Sequence, residues 1–299
     1  MREAVILMDR VKQMRSEAEI KDLVTGFAKD DDRVRVVLLN GSRVNPNVKP
    51  DKYRDFDIVF LVNDLEHFTS NHSWTDVFGE KLIWQLPDEM SPGNSGAGLT
   101  FSYLMLFTDG NRIDLTLFPI EKFQSGFKLD SLTDVWLDKD NLFFEIQQPA
   151  DKDYHVQRPV QREFSETCNE FWWVSTYVAK GLLRNEITYA KEMLDTVMRP
   201  MFMKVIAWKI GAANNFSVSF GKSGKFMSRY LTPDNYARVL QTYSDFEVQN
   251  NWRSLLLMAE FFEDITNDLS LKLNLLQNKI EQQNAMKYLK KLFDEQQNG

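Results

Sequence analysis

Three aspartates lie at positions where their carboxylates could act on phosphates. Asp55 and Asp57 flank Phe56 at the start of the apolar run at 55–62, and Asp114 lies within the run "RIDLTLF". In a strand, side chains two residues apart point to the same face, so Asp55 and Asp57 share a face with Cα atoms roughly 6–7 Å apart. Two ionised carboxylates this close repel each other and favour a bound cation.

The third carboxylate extends this pattern. Asp114 is expected on a separate strand, on the face opposite Ile113 and Leu115. If the two strands are neighbours, the three carboxylates converge. Oxygen ligands suit Mg²⁺, and three carboxylates can hold two ions that activate an attacking oxygen and stabilise a leaving one. We therefore predict that Asp55, Asp57 and Asp114 are metal ligands and catalytic residues, with Asp114 as the base or a base-side ligand. An Asp-x-Asp pair at a strand start also occurs as a simple turn cap.

A Gly-Ser turn precedes the two paired aspartates. Gly41 permits a close approach of the backbone to a phosphate, and Ser42 offers a hydroxyl and an N–H group. Arg43 adds a planar guanidinium that suits phosphate oxygens. We expect Gly41, Ser42 and Arg43 to bind a nucleotide.

The order of these motifs resembles the nucleotidyltransferases built like DNA polymerase β. Their pattern is an apolar strand, Gly-Ser, about a dozen residues, Asp-apolar-Asp-apolar, and a third carboxylate on a later strand. Here it reads "LNGS", twelve residues, "DFDI" and then "IDL".

A narrower resemblance covers most of the chain. The "GSRVNP" turn, the segment "SGAGLTFSYLMLFTDGNRIDLTLFP" and the helical "YVAKGLLRNEITYAKEMLD" look like the bacterial aminoglycoside 6-adenylyltransferases, which modify streptomycin. The resemblance implies transfer of AMP from ATP to the 6-hydroxyl of the drug, with Mg²⁺, release of pyrophosphate and antibiotic resistance. Spacing alone supports only nucleotidyl transfer.

Six side chains near the start of the second half are spaced by three and four residues and form one stripe of a helix: Glu166, Glu170, Trp173, Tyr177, Lys180 and Arg184. In the functional interpretation Lys180 and Arg184 bind the triphosphate, and the other four meet the cationic drug. In the alternative the stripe is a solvated face with i,i+4 ion pairs. Related families commonly carry a lysine of the helical domain near the phosphates, which favours Lys180.

The surrounding pattern predicts the elements that position these residues. A helix is expected over 3–28, strands at 33–40 and 55–62, and a hairpin around 108–111. From about residue 160 the apolar spacing predicts a helical bundle. With the resemblance, the fold class is α+β. A polymerase β-like nucleotidyltransferase domain at 1–150, a mixed sheet with flanking helices, is followed by an all-α domain at 160–299.

Composition sets the wider limits. The chain has 299 residues, is 43% hydrophobic and has a net charge of −7, with a pI near 5.2. No apolar run approaches a membrane span, and the start lacks a secretory signal, so we expect no membrane partner. The single cysteine, Cys168, fits a reducing cytoplasm. The acidic balance disfavours nucleic acid and suits a cationic ligand.

Several alternatives stay open from the sequence. The acceptor could be another antibiotic or a protein side chain, or the chain could be a nucleotide-binding sensor without catalysis. The intact carboxylate set argues against the sensor. Glu166 or Glu170 competes with Asp114 for the role of base. The oligomeric state and the residues that select the drug are undetermined.

Overall fold

The computed structural model describes residues 13–90, 99–126, 128–143 and 147–298. The chain divides between Asp153 and Tyr154 into two compact units. The predicted loop at 91–98 and the first part of the helix predicted over 3–28 lie outside the described residues. The assignment of separate roles to domains 1–150 and 160–299 stays a prediction.

The first unit is built on one six-stranded mixed sheet in the order β3-β4-β5-β2-β1-β6. Its helices and strands, in chain order, are α1 (Glu17–Asp30), β1 (Val34–Asn40), β2 (Phe56–Val62), α2 (Leu65–Thr69), β3 (Lys81–Gln85), α3 (Pro87–Met90), β4 (Phe101–Phe107), β5 (Arg112–Pro119), α4 (Ile120–Gln124) and β6 (Thr133–Asp138).

Helix α1 begins later than the apolar spacing predicted. Ser16 is its N-cap, and a reciprocal capping box joins the Ser16 and Glu19 side chains to each other's backbone N–H groups. This cap satisfies N–H groups that the first turn of a helix leaves without partners. The periodic pattern before Ser16 therefore does not continue the helix through residues 13–16.

The two faces of the sheet are packed differently. Helix α1 packs on one face. Its Ile20 and Val24 form a buried apolar cluster with the strand residues Phe56, Ile58 and Leu115. The opposite face carries a smaller cluster of four buried residues: Val36, Leu38, Leu61 and Ile120. Because side chains alternate along a strand, this second face is also the face of Asp57 and Asp114.

The second unit is helical. Its helices are α5 (Gln161–Leu183), α6 (Ile187–Glu192), α7 (Arg199–Ala213), α8 (Pro233–Gln241), α9 (Val248–Leu273) and α10 (Lys279–Asn298), with a π-helical turn at Met193–Met198 between α6 and α7. Phe171 of α5 stacks on Phe262 of α9 with ring centroids 3.6 Å apart. Both rings are buried in the core of this unit.

The α+β prediction, a mixed sheet with flanking helices followed by a helical region, is confirmed. The two edge strands β3 and β6 were not predicted. Every residue of β3 is at least partly exposed, so it lacks the alternating pattern that identifies a strand. Among the described helices, none combines the length and apolar character that a membrane crossing requires.

Candidate active site

Asp57 and Asp114 lie directly opposite each other on neighbouring strands. Strands β2 and β5 pair in parallel, and the register sets Asp57 against Asp114 and Ile58 against Leu115. Paired strands are about 4.8 Å apart, so the two carboxylates leave the sheet side by side. Asp55 lies one residue before β2 begins. The two strands are neighbours, which is the condition for the carboxylates to converge.

The alternation of β2 explains why the aspartates face outward. Phe56, Ile58 and Phe60 are buried on the face covered by α1, which directs the alternate positions to the other face. A shift of the register by one residue would bury Asp57 among these side chains and expose the apolar ones. Packing of the core therefore determines where the acidic side chains point.

Gly41 lies against Asp57. Its backbone is in the left-handed region, with φ of +78°, and a Cβ at this position would lie 2.3 Å from the Asp57 Oδ2 atom. Only glycine accommodates both conditions. Asn40, the residue before it, pairs with Asp57 across β1 and β2. The predicted Gly-Ser turn and the paired aspartates are thus in contact, with Ser42 next along the turn.

The carboxylates form a site of dense negative charge. Burial, followed by the proximity of Asp114 and Asp55, raises the pKa of Asp57 to about 6. Burial also raises the pKa of Asp55, and the neighbouring Arg112 opposes this shift. A carboxyl group whose charged form is disfavoured by burial and by like charges gains stability from a cation.

Arg112 is a member of the site that the motif did not indicate. Its Nε and Nη2 atoms donate to the two oxygens of Asp114, each at 2.7 Å, and its Nη1 lies 3.8 Å from Asp55 Oδ2. The signal was present in the sequence, because Arg112 and Asp114 are two residues apart on one strand and share a face. Arg112 supplies positive charge where the sequence predicted only metal ions.

Arg43 is turned toward the protein. Its Nε and Nη2 donate to the carbonyl oxygens of Asp55 and Arg54 at 3.0 and 2.6 Å, and its Nη1 donates to Glu17 at 2.9 Å. Its guanidinium stacks on Phe56 at 3.4 Å. Burial lowers its pKa. Arg43 therefore holds the backbone of Asp55, and its contact with phosphate stays a prediction.

The donor chemistry at this site fits Mg²⁺. Asp55 and Asp57 offer carboxylate oxygens on one face, and Mg²⁺ takes one or two carboxylates together with waters and substrate phosphates. As the side chains lie, the described part of the chain has no group of three or more His, Cys, Asp or Glu arranged to hold a metal ion. Each oxygen of Asp114 accepts one hydrogen bond from Arg112, which leaves a second lone pair on each oxygen for a metal ion.

The stripe predicted in the second half lies on α5, except for Arg184, which directly follows the helix. Glu166, Glu170, Trp173, Lys180 and Arg184 are exposed, and Tyr177 is half-buried. Glu166 pairs with Arg162 at 2.7 Å, the Trp173 indole donates to the Tyr177 hydroxyl at 2.6 Å, and Arg184 lies 4.0 Å from Glu186. A solvated face and a ligand surface both fit this exposure, so the functional interpretation stays a prediction.

A mixed sheet that carries an Asp-x-Asp pair and a third carboxylate on adjacent strands beside a Gly-Ser turn defines a nucleotidyltransferase. Residues 14–292 match the family described as streptomycin adenylyltransferase. The chain belongs to this family.

The chain is similar over most of its length to two named aminoglycoside 6-adenylyltransferases. An aminoglycoside 6-adenylyltransferase of Campylobacter jejuni is 43% identical over 263 residues, covering 87% of this chain and 90% of the relative. One of Bacillus subtilis (strain 168) is 42% identical over 258 residues, covering 86% and 91%. A crystal structure of an aminoglycoside 6-adenyltransferase from Bacillus subtilis is 35% identical, covers 94% of this chain and 99% of its own, and has a TM-score of 0.47.

Proposed function

We propose that this protein transfers AMP from ATP to a hydroxyl of an aminoglycoside, the 6-hydroxyl of streptomycin, and releases pyrophosphate. The observation that carries the reaction type is the register of β2 and β5, which sets Asp57 against Asp114 beside the Gly-Ser turn. The acceptor is supported by the description of the family and by the names of the relatives.

ATP is bound by the Gly41-Ser42 turn and by Asp55 and Asp57. Gly41 has no side chain, so its backbone can approach the triphosphate closely. Ser42 offers its hydroxyl and backbone N–H to the phosphate oxygens. Asp55 and Asp57 would hold Mg²⁺, which would supply positive charge to neutralise the phosphates. Lys180 of α5 and Arg184, which directly follows α5, are both exposed and add positive charge for the triphosphate.

The acceptor end needs a base. A sugar hydroxyl loses its proton reluctantly at neutral pH and must lose it as its oxygen attacks the α-phosphorus. The new phosphorus–oxygen bond replaces the bond to the bridging oxygen, and pyrophosphate leaves with that electron pair. Asp114 accepts the proton, directly or through water. Glu166 or Glu170 is the competing base.

The drug is a polycation, and the exposed face of α5 offers groups that suit it. Glu166 and Glu170 provide negative charge, and Trp173 and Tyr177 provide aromatic faces that attract cations. The Trp173 side chain is held by its hydrogen bond to Tyr177. We assign these four side chains to acceptor binding.

Mass spectrometry of an incubation with ATP, Mg²⁺ and an aminoglycoside panel tests this function. Streptomycin should gain one AMP, and fragmentation should place it on the 6-hydroxyl. Asp57→Asn should abolish the product, while the matched variant Asp22→Asn, on the exposed face of α1, should retain it. AMP on a different antibiotic or on a protein would support another acceptor. A well-folded protein that transfers no AMP to any acceptor would contradict the proposal.

A further inference from the structure

Arg54 directly precedes Asp55 in the chain, and its side chain turns back to the Gly-Ser turn. Its Nη1 atom donates to the carbonyl oxygens of Ser42 and Arg43 at 3.2 and 3.3 Å. Arg43 donates in the opposite direction, to the carbonyl oxygens of Arg54 and Asp55. Two hydrogen bonds from each guanidinium therefore join the turn to the segment that carries Asp55.

The position of Asp55 depends on these contacts more than that of the other two aspartates. Asp57 and Asp114 are fixed by the register of two paired strands. Asp55 lies before the first residue of β2, so the strand ladder does not include it. Residues 49–53, which lead to it, are exposed, and packing of that loop therefore contributes little. The hydrogen bonds of Arg43 and Arg54 hold the backbone on either side of this carboxylate in place.

The same contacts restrain the Gly-Ser turn. At its first residue the Gly41 N–H donates to the Leu132 carbonyl oxygen at 3.1 Å. Arg54 holds the carbonyl groups at the end of the turn. Because a peptide group is planar, a fixed carbonyl oxygen also fixes the direction of the next N–H group. Arg54 thereby sets the direction of the backbone N–H groups that follow Ser42.

Arginine at position 54 reduces the stability of the unit in two respects. Its Nε atom is buried and has no hydrogen-bond partner, and a buried donor without a partner is unfavourable. Its charge also lies near that of Arg43. Burial lowers the pKa of Arg43, and the nearby charge of Arg54 lowers it further. Stability alone therefore does not account for an arginine at this position.

We propose that Arg54 is a positioning residue for the phosphate and Mg²⁺ site. Its hydrogen bonds fix the turn and Asp55 relative to each other, so that phosphate oxygens and the metal ion are held at the same time. Arg54 acts through the backbone of the turn and does not itself bind phosphate or metal. The inference rests on the proposed function and adds a residue that lies outside the Gly-Ser and Asp-x-Asp motifs.

Calorimetry with inorganic tripolyphosphate·Mg²⁺ tests the inference, because this probe needs only the turn and the metal ligands. Arg54→Met removes the donors and keeps an unbranched side chain. Arg54→Lys keeps the charge, but its ammonium group ends one bond short of the Nη1 position. We expect both variants, shown to be folded by circular dichroism, to bind the probe about tenfold or more weakly than wild type. Arg35→Met is the matched control, because Arg35 pairs with Asp140 in the same unit, and it should bind the probe normally.

Three results would overturn the inference. Wild-type affinity in Arg54→Lys would show that the charge of residue 54 matters and its hydrogen bonds do not. Wild-type affinity in Arg54→Met, with a lower unfolding midpoint, would identify a purely structural contact. If neither variant folds, Arg54 serves the fold and is not a positioning residue. Failure of the wild-type protein itself to bind the probe would instead contradict the proposed function, so the two failures are distinguishable.

Discussion

The Gly41 backbone lies so close to the Asp57 carboxylate that a side chain at position 41 would have no space. A Cβ at Gly41 would lie 2.3 Å from Asp57 Oδ2. This contact joins the predicted phosphate-binding turn to the predicted metal ligand, although the two are separated by a long loop in the sequence.

Gly41→Ala should therefore disturb the site in two ways, through backbone strain and through a clash with Asp57. A left-handed backbone costs a non-glycine residue about 1–3 kcal/mol, and the new Cβ displaces the Asp57 carboxylate. We expect a lower midpoint of thermal unfolding and a loss of adenylyl transfer. Gly26→Ala is the matched control, because a Cβ there meets nothing within 4 Å, and it should retain activity. Normal turnover in Gly41→Ala would show that the contact is unimportant.

Asp114→Asn separates the two candidates for the base. If Asp114 accepts the proton, the variant should bind ATP·Mg²⁺ within roughly tenfold of wild type, an allowance of about 1.4 kcal/mol, while transfer falls at least ~10²-fold. Single-turnover kinetics and calorimetry measure the two quantities. Efficient transfer by Asp114→Asn, combined with its loss in Glu166→Gln or Glu170→Gln, would place the base on α5.

Arg112→Gln removes the positive charge beside Asp114 and Asp55. The three carboxylates then repel each other without compensation, so the metal-free protein should unfold at a lower temperature. Added Mg²⁺ should raise the unfolding midpoint more in this variant than in wild type. Arg33→Gln is the control, because Arg33 pairs with Asp31 on its own loop and Mg²⁺ should not restore its stability. If Mg²⁺ raised the unfolding midpoint equally in Arg112→Gln and in wild type, Arg112 would not be compensating the charge of the carboxylates.

Arg43→Lys tests whether Arg43 serves the fold or the phosphates. Lysine keeps the charge but cannot stack its head group on Phe56 and donate to two carbonyl groups at once. We expect a lower unfolding midpoint and reduced turnover, because the segment that carries Asp55 loosens. Arg253→Lys, at an exposed position of α9, should change neither. An unchanged unfolding midpoint with weakened ATP affinity would identify Arg43 as a phosphate ligand instead.

Asp109 should make stability depend on pH in the acidic range. Burial alone would raise its pKa, but hydrogen bonds from Arg15 and Asn111 outweigh burial and hold the pKa well below its usual range. The unfolded chain has a value near 3.9, so the stabilisation is fully present above about pH 4 and is lost as the pH falls through the lower folded-state pKa.

Urea denaturation of wild type and Asp109→Asn measures that contribution. The variant should be less stable at pH 7, and the difference between the two proteins should shrink below about pH 4. Asp22→Asn, on the exposed face of α1, should show no such convergence. A stability difference that is constant with pH would rule out the ionised Asp109 as its source.

The sequence by itself determined what is local. The alternation of Asp55, Phe56, Asp57 and Ile58 specifies which side chains share a face, because the period of a strand is two residues. The spacing of three and four residues likewise placed Trp173 and Lys180 on one stripe of α5, and both side chains are exposed. The order of the Gly-Ser turn and the three aspartates was sufficient to indicate the enzyme class.

The tertiary structure decided what depends on partners that are distant in the sequence. The β2–β5 register that sets Asp57 against Asp114 comes from packing of whole strands, which no local pattern records. Edge strand β3 exists because β4 provides its hydrogen bonds. Arg43 faces the Asp55 carbonyl for the same reason. A guanidinium binds whichever acceptor the fold brings within reach, so residue type alone could not assign Arg43.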